Sequence, residues 1–184
     1  PLQQKEKPPF GIAPVTHRPN LCRSTKKGPH PMRDFHKPGR SAVYATNGMC
    51  ATSHPLAAKV AVQMMEAGGN AMDGAIAGAV LLGLCEPQMT GIGGDCFVLL
   101  TPPGEDRVVA LNGSGRAPAG IDAEKLRTKG DTIAPFSPDA VSVPGAVDAF
   151  CRLSKDWGKL GLKAALAPAI HYAEAGVPVA ERVA

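Results

Sequence analysis

The chain has 184 residues, 44% of them hydrophobic but only 4% aromatic, and a formal net charge of +4. That is enough length for one domain with a sizeable core, whose interior alanine, valine, leucine and glycine must fill, which favours tightly packed helices over an aromatic-rich fold. The apolar runs fall short of the roughly 18–20 residues of a membrane helix, and the opening PLQQKEKPPF lacks the apolar core of a signal peptide.

Residues 1–40 form a basic, proline-rich arm. They hold nine of the 20 Lys+Arg residues but only two of the 16 acids, so the positive charge sits here on a mildly acidic body. Prolines at 1, 8, 9, 14, 19, 29, 31 and 38 lack a backbone donor and resist helix interiors, so an extended arm with little regular structure is expected. A basic arm suits nucleic acid or an acidic surface. Without an RNA- or DNA-binding motif, it reads better as a solvated segment wrapping its own protein or a sister subunit.

Residues 42–46 and 49–53 read as strands, with Asn47-Gly48 between them as a tight-turn signal that a hairpin or a kinked strand would satisfy. A helix follows, capped by Ser53 or His54, with Pro55 in its first turn. Leu56, Ala57, Val60, Ala61 and Met64 make its apolar face, and Gly68-Gly69 ends it. Asn70 then caps a second helix, with Asp73 in the first turn. The stretch Ala71 to Cys85 is apolar nearly all round, so it is expected to be buried, and Gly74, Ala75, Gly78 and Ala79 permit close packing. Glu86-Pro87 stops it.

Beyond the glycine-rich Thr90–Asp95, Cys96 to Leu100 and Arg107 to Leu111 read as paired strands joined by a Pro-Pro-Gly turn. Asn112 to Pro118 is a polar, glycine-rich loop. A short helix around Asp122–Lys129, loop over 130–138, a helix from about Ala146 to Asp156, a turn at Gly158–Gly161 and a helix over Leu162–Ala175 containing Pro168 complete the series. The class is mixed α and β. Five cysteines (Cys22, Cys50, Cys85, Cys96, Cys151) include no CxxC pair, so no zinc site is expected. Cys85, Cys96 and Cys151 lie in apolar runs and read as small buried hydrophobes, which suits a reducing, cytoplasmic setting.

An ordered series of motifs then carries a resemblance. It comprises Gly48-Met49, Ala51-Thr52-Ser53-His54-Pro55-Leu56-Ala57, Gly68 through Ala75, Glu86-Pro87, Gly91-Ile92-Gly93-Gly94, Gly115-Arg116-Ala117-Pro118, Val143-Pro144-Gly145 and residues 166–179. Over about residues 40–184 the chain resembles the gamma-glutamyltranspeptidase family. The resemblance implies an α+β, four-layer αββα N-terminal-nucleophile hydrolase fold, of which residues 41–184 are the N-terminal part of the large subunit. It implies a precursor that cleaves itself, freeing a threonine at the start of the small subunit. That threonine is the nucleophile and its own amine the base. The family's threonine-rich cleavage segment is absent here, so no residue of this chain is assigned as catalytic and the chain alone is expected to be inactive. No cofactor or metal is implied. The expected partners are the small-subunit segment of the same precursor and a small amide or γ-glutamyl substrate. A homo-oligomer is left open, and neither nucleic acid nor membrane is expected.

The resemblance points to Arg116 as a substrate-carboxylate contact, since a guanidinium fork matches a carboxylate; the alternative is a structural arginine bonding loop carbonyls. With Ala117-Pro118 aligned, the transpeptidases' arginine position falls on Ser114, and the arginine stands two residues later. This Gly-Ser-Gly-Arg-Ala-Pro form is more similar to the branch of acylases and oxamate-type amidases. Ser114 is a candidate hydrogen-bond donor to substrate or a turn residue. Gly91-Ile-Gly-Gly-Asp lacks the Lys-Ser/Thr of a phosphate loop and precedes a strand, so close backbone packing is expected there. His54 and His171 read as capping or core groups, Asp73 as a first-turn acid only, and Asp95 as an acceptor for amides of its own glycine loop. The competing class is a non-catalytic binding or scaffold module that keeps the fold without the chemistry.

Overall fold

The computed structural model describes residues 13–15, 42–179 and 183. Five helices and a three-stranded antiparallel sheet are described: β1 (Ala13–Val15), α1 (Pro55–Glu66), α2 (Ala71–Cys85), β2 (Cys96–Leu100), β3 (Val108–Gly113), α3 (Ala123–Arg127), α4 (Ala146–Trp157) and α5 (Leu162–Ala175). A 3-10 turn, Pro138–Ala140, begins at the last residue of the stretch expected to be loop.

The helices start and stop where local chemistry dictates. The Nδ1 of His54 accepts from the Leu56 amide and Pro55 occupies the first turn of α1. Ser53, the other candidate cap, instead donates its hydroxyl to Glu86 at 2.6 Å. At the far end Gly68 takes a positive φ of 94°, and the Gly69 amide returns to the Met64 carbonyl. Asn70 and Asp73 then form a reciprocal capping box on α2.

Helix α2 is the hub. It packs on α1, α5 and α4, which is why its apolar residues run round the whole circumference. Glycine makes the α1–α2 approach possible: a Cβ on Gly74 would lie 2.8 Å from the Ala61 carbonyl oxygen, and one on Gly78 3.3 Å from that of Ala57. The core joins Val60 and Met64 of α1, Ile76 and Leu81 of α2, Ala149 and Leu153 of α4, and Ala165 and Ala169 of α5.

In the sheet the order is β1-β3-β2. The β2–β3 register pairs Cys96 with Gly113, Val98 with Leu111 and Leu100 with Val109, and this face packs against the helices. The alternate positions put Phe97 and Leu99 on the other face, 69% and 73% exposed.

Three expectations need correction. Residues 42–54 form no strand; a bend at 46–47 replaces the hairpin. No neighbouring described strand pairs with them, and an isolated two-stranded ribbon is marginal in water. Conversely, the arm contributes β1, pairing Ala13, Pro14 and Val15 with Ala110, Val109 and Val108. Pro14 is tolerated because β1 lies at the sheet edge, where a missing N–H breaks no second ladder. Lastly, Cys151 is exposed on α4, whereas Cys85 is buried and Cys96 half-buried. The rest of the arm, including Cys22, lies outside the described residues.

Candidate functional site

Three segments distant in sequence converge where β2 begins. Gly94 and Asp95 lead into β2, residues 113–116 leave β3, and residues 142–146 lead into α4. The Gly94 carbonyl accepts from the amides of Gly145 and Ala146 at 3.1 and 3.0 Å. Oδ1 of Asp95 accepts from the Gly115 amide at 3.1 Å and from the Ser142 hydroxyl at 3.1 Å. The Val143 amide donates to the Arg116 carbonyl at 2.9 Å.

Glycine permits this convergence. A Cβ on Gly115 would overlap the Val143 carbonyl, and one on Gly113 would lie 2.6 Å from the Ala149 methyl and 2.7 Å from the Cys96 carbonyl oxygen. Gly91 and Gly93, by contrast, have open space beside them. The tight packing expected of the 91–95 loop belongs to its partners, the 113–115 loop and Gly145. Asp95 likewise serves the loop after β3 instead of its own.

Arg116 is exposed beside this junction and makes a further interaction of its own. Ser114 is half-buried two residues before it, and its amide donates to the Asn112 side chain at 2.9 Å, an Asx-type turn that bends the chain out of β3. The structure thus keeps the two candidate substrate contacts on one loop and adds two residues beside them, Asp95 and Ser142. The role of Ser142 had no local signal, because its partner lies 47 positions away.

The other candidates lie elsewhere. His54 caps α1. His171 is exposed on α5 with its ring edge-on to Tyr172, the centroids 5.3 Å apart. Asp73 is more than a first-turn acid. It is fully buried, and its carboxylate accepts from the amides of Asn70, Lys159 and Leu160. Asn70 adds a bond from its side-chain amide to the Trp157 carbonyl at 2.7 Å. The start of α2 therefore holds the α4–α5 turn. Among the described residues, no group of three or more His, Cys, Asp or Glu side chains is placed to hold a metal ion. No described helix is long and apolar enough to cross a membrane. Burial pushes the Cys85 thiol above its ordinary pKa, with the Glu86 charge adding to the effect, and burial does the same to Cys96.

Residues 57–184 match the family model described as gamma-glutamyltranspeptidase. The chain belongs to the gamma-glutamyltranspeptidase family. Among members of this family, the chain is 35% identical to the glutathione hydrolase-like YwrD proenzyme of Bacillus subtilis, over 75% of this chain and 26% of that protein. It is 35% identical to the acylase ACY 1 proenzyme of Pseudomonas sp. strain SE83, over 73% of this chain and 26% of that one. Among solved structures, the cephalosporin acylase from Bacillus halodurans superposes with a TM-score of 0.73 at 46% identity, over 84% of this chain and 29% of that chain. The chain spans about a quarter of the length of the curated relatives it matches.

Proposed function

We propose that the complete protein is a γ-glutamyltransferase-like amidohydrolase or acyltransferase, with an N-terminal threonine nucleophile supplied by a segment not present in this chain. The threonine amine takes the hydroxyl proton as the oxygen attacks an amide carbonyl. The C–N bond breaks, the leaving amine takes up the proton, and the acyl group rests on the threonine oxygen. Water or an amine then takes the acyl group, with backbone donors stabilising each oxyanion. In this reading the precursor cleaves itself, and the described residues form part of a large subunit whose partner is the small-subunit segment.

This chain supplies one wall of the cleft. Arg116 binds a substrate carboxylate and Ser114 donates a hydrogen bond beside it. The observation that supports this is the fixed loop: the peptide before Gly115 and the peptide after Arg116 are each held by a hydrogen bond while Arg116 itself is exposed. The exposed Phe97 and Leu99 face takes a second sheet from the rest of the polypeptide, completing the αββα sandwich. Burying such side chains contributes about 1.5–3 kcal/mol each.

A second reading within the same chemistry is hydrolysis of another small or acyl amide. It is supported by Ser114 standing where the transpeptidases carry arginine, and by the 46% identity to a cephalosporin acylase. The experiment is Arg116→Ala in the complete protein, assayed with a γ-glutamyl amide and with acyl amides. Loss of a charge-assisted bond of roughly 1.5–3 kcal/mol raises KM at least about tenfold for the carboxylate-bearing substrate. Unchanged kinetics at normal stability retires the contact. Intact mass showing one uncut polypeptide with no activity would favour the non-catalytic module.

A further inference from the structure

We infer that Asp95 is a positioning residue for the loop that presents Ser114 and Arg116 to substrate. The inference rests on the proposed substrate contact of Arg116. One carboxylate oxygen ties two otherwise separate segments, holding the Gly115 amide and the Ser142 hydroxyl at 3.1 Å each. One residue beyond each of these atoms, the Val143 amide closes on the Arg116 carbonyl at 2.9 Å. The peptide before Gly115 and the peptide after Arg116 are therefore both anchored. That leaves the Arg116 Cα little room to move.

A carboxylate suits this position because it only accepts, and both groups facing it are donors. The backbone cannot do the same work. Gly115 and the Val143 carbonyl already meet with no space for a Cβ, and a Cβ on Gly145 would lie 3.0 Å from the Gly115 nitrogen. The segments are close enough to touch, but without Asp95 nothing described holds the Gly115 amide. A guanidinium displaced by about 1 Å loses much of its value to a bound carboxylate, up to two orders of magnitude in rate or affinity terms.

The test uses the complete protein with a carboxylate-bearing amide substrate and a matched amide lacking the carboxylate. Asp95→Ala is expected to raise KM about tenfold for the first substrate, with kcat changed less than about threefold and the second substrate unaffected. Asp95→Asn keeps an acceptor oxygen and is expected to recover KM to within about threefold of the parent. Asp95→Ala combined with Arg116→Ala is expected to match Arg116→Ala alone within about twofold, since both act through one contact. Amide hydrogen exchange across residues 113–118 speeds up in Asp95→Ala and not in Arg116→Ala. If Arg116→Ala raises KM but Asp95→Ala changes neither KM nor exchange, the positioning role is overturned and the Arg116 contact stands. If Arg116→Ala leaves KM unchanged, the contact fails and the positioning role falls with it. Should Asp95→Ala give no folded protein, Ser142→Ala removes one of the two bonds; it must raise KM selectively for the carboxylate substrate, and a flat result overturns the role.

Discussion

Replacing Asp73 by alanine tests the joint between α2 and the α4–α5 turn. The side chain is fully buried and receives three backbone amides: Asn70 at 2.9 Å, Lys159 at 3.0 and 3.2 Å to its two oxygens, and Leu160 at 3.2 Å. Removing the carboxylate orphans these donors in a partly buried setting. Each stranded donor costs about 1–3 kcal/mol, and partial access to water brings the total to roughly 3–5 kcal/mol. Asparagine does not rescue it, because half of an amide is a donor turned toward donors. The assay is urea unfolding of the complete protein, with amide exchange read at Lys159 and Leu160. A loss of 4 kcal/mol moves the midpoint by about 2 M for a slope near 2 kcal/mol per molar. If Asp73→Ala shifts the midpoint by less than about 0.5 M and leaves both amides protected, the account of this clasp is wrong.

Gly115→Ala is expected to abolish activity and sharply lower soluble yield, because its Cβ would overlap the Val143 carbonyl; such overlaps against backbone typically cost more than about 3 kcal/mol. A soluble variant with parental kinetics would contradict that packing. Cys85 is expected to alkylate slowly at neutral pH in the folded protein, because burial keeps its thiol protonated. For the same reason stability should decline above about pH 8.5, where the unfolded chain releases a thiol proton that the folded chain retains. In Cys85→Ala that part of the decline should shrink, as followed by thermal unfolding across pH 7 to 10.

Much of the helical layer was legible because its signals are local. Pro55, Gly68, Asn70, Glu86 and Gly161 stand at helix ends or in the connections between helices, and the all-round apolar character of residues 71–85 announced a helix covered on several sides. The β2–β3 pairing was legible for the same reason, two apolar runs flanking a Pro-Pro-Gly turn. The 42–53 segment has equally good strand chemistry and an Asn-Gly turn, yet it forms no ladder among the described residues. Strand propensity describes fit to a pleated surface, and that surface must be provided by something else.

What the chain encoded by itself was element type, capping and the motif series that carries the family. What only the folded arrangement decided was partnership. Asp73 reaches amides 86 and 87 positions away, and Asp95 reaches a hydroxyl 47 positions away. Hydrogen bonds of that span leave no periodic trace, because nothing in a local window records which distant donor will arrive at a given carboxylate. The physical reason is that helix caps act within one turn of chain, whereas a loop's position is set by whichever packed elements bring its neighbours within about 3 Å.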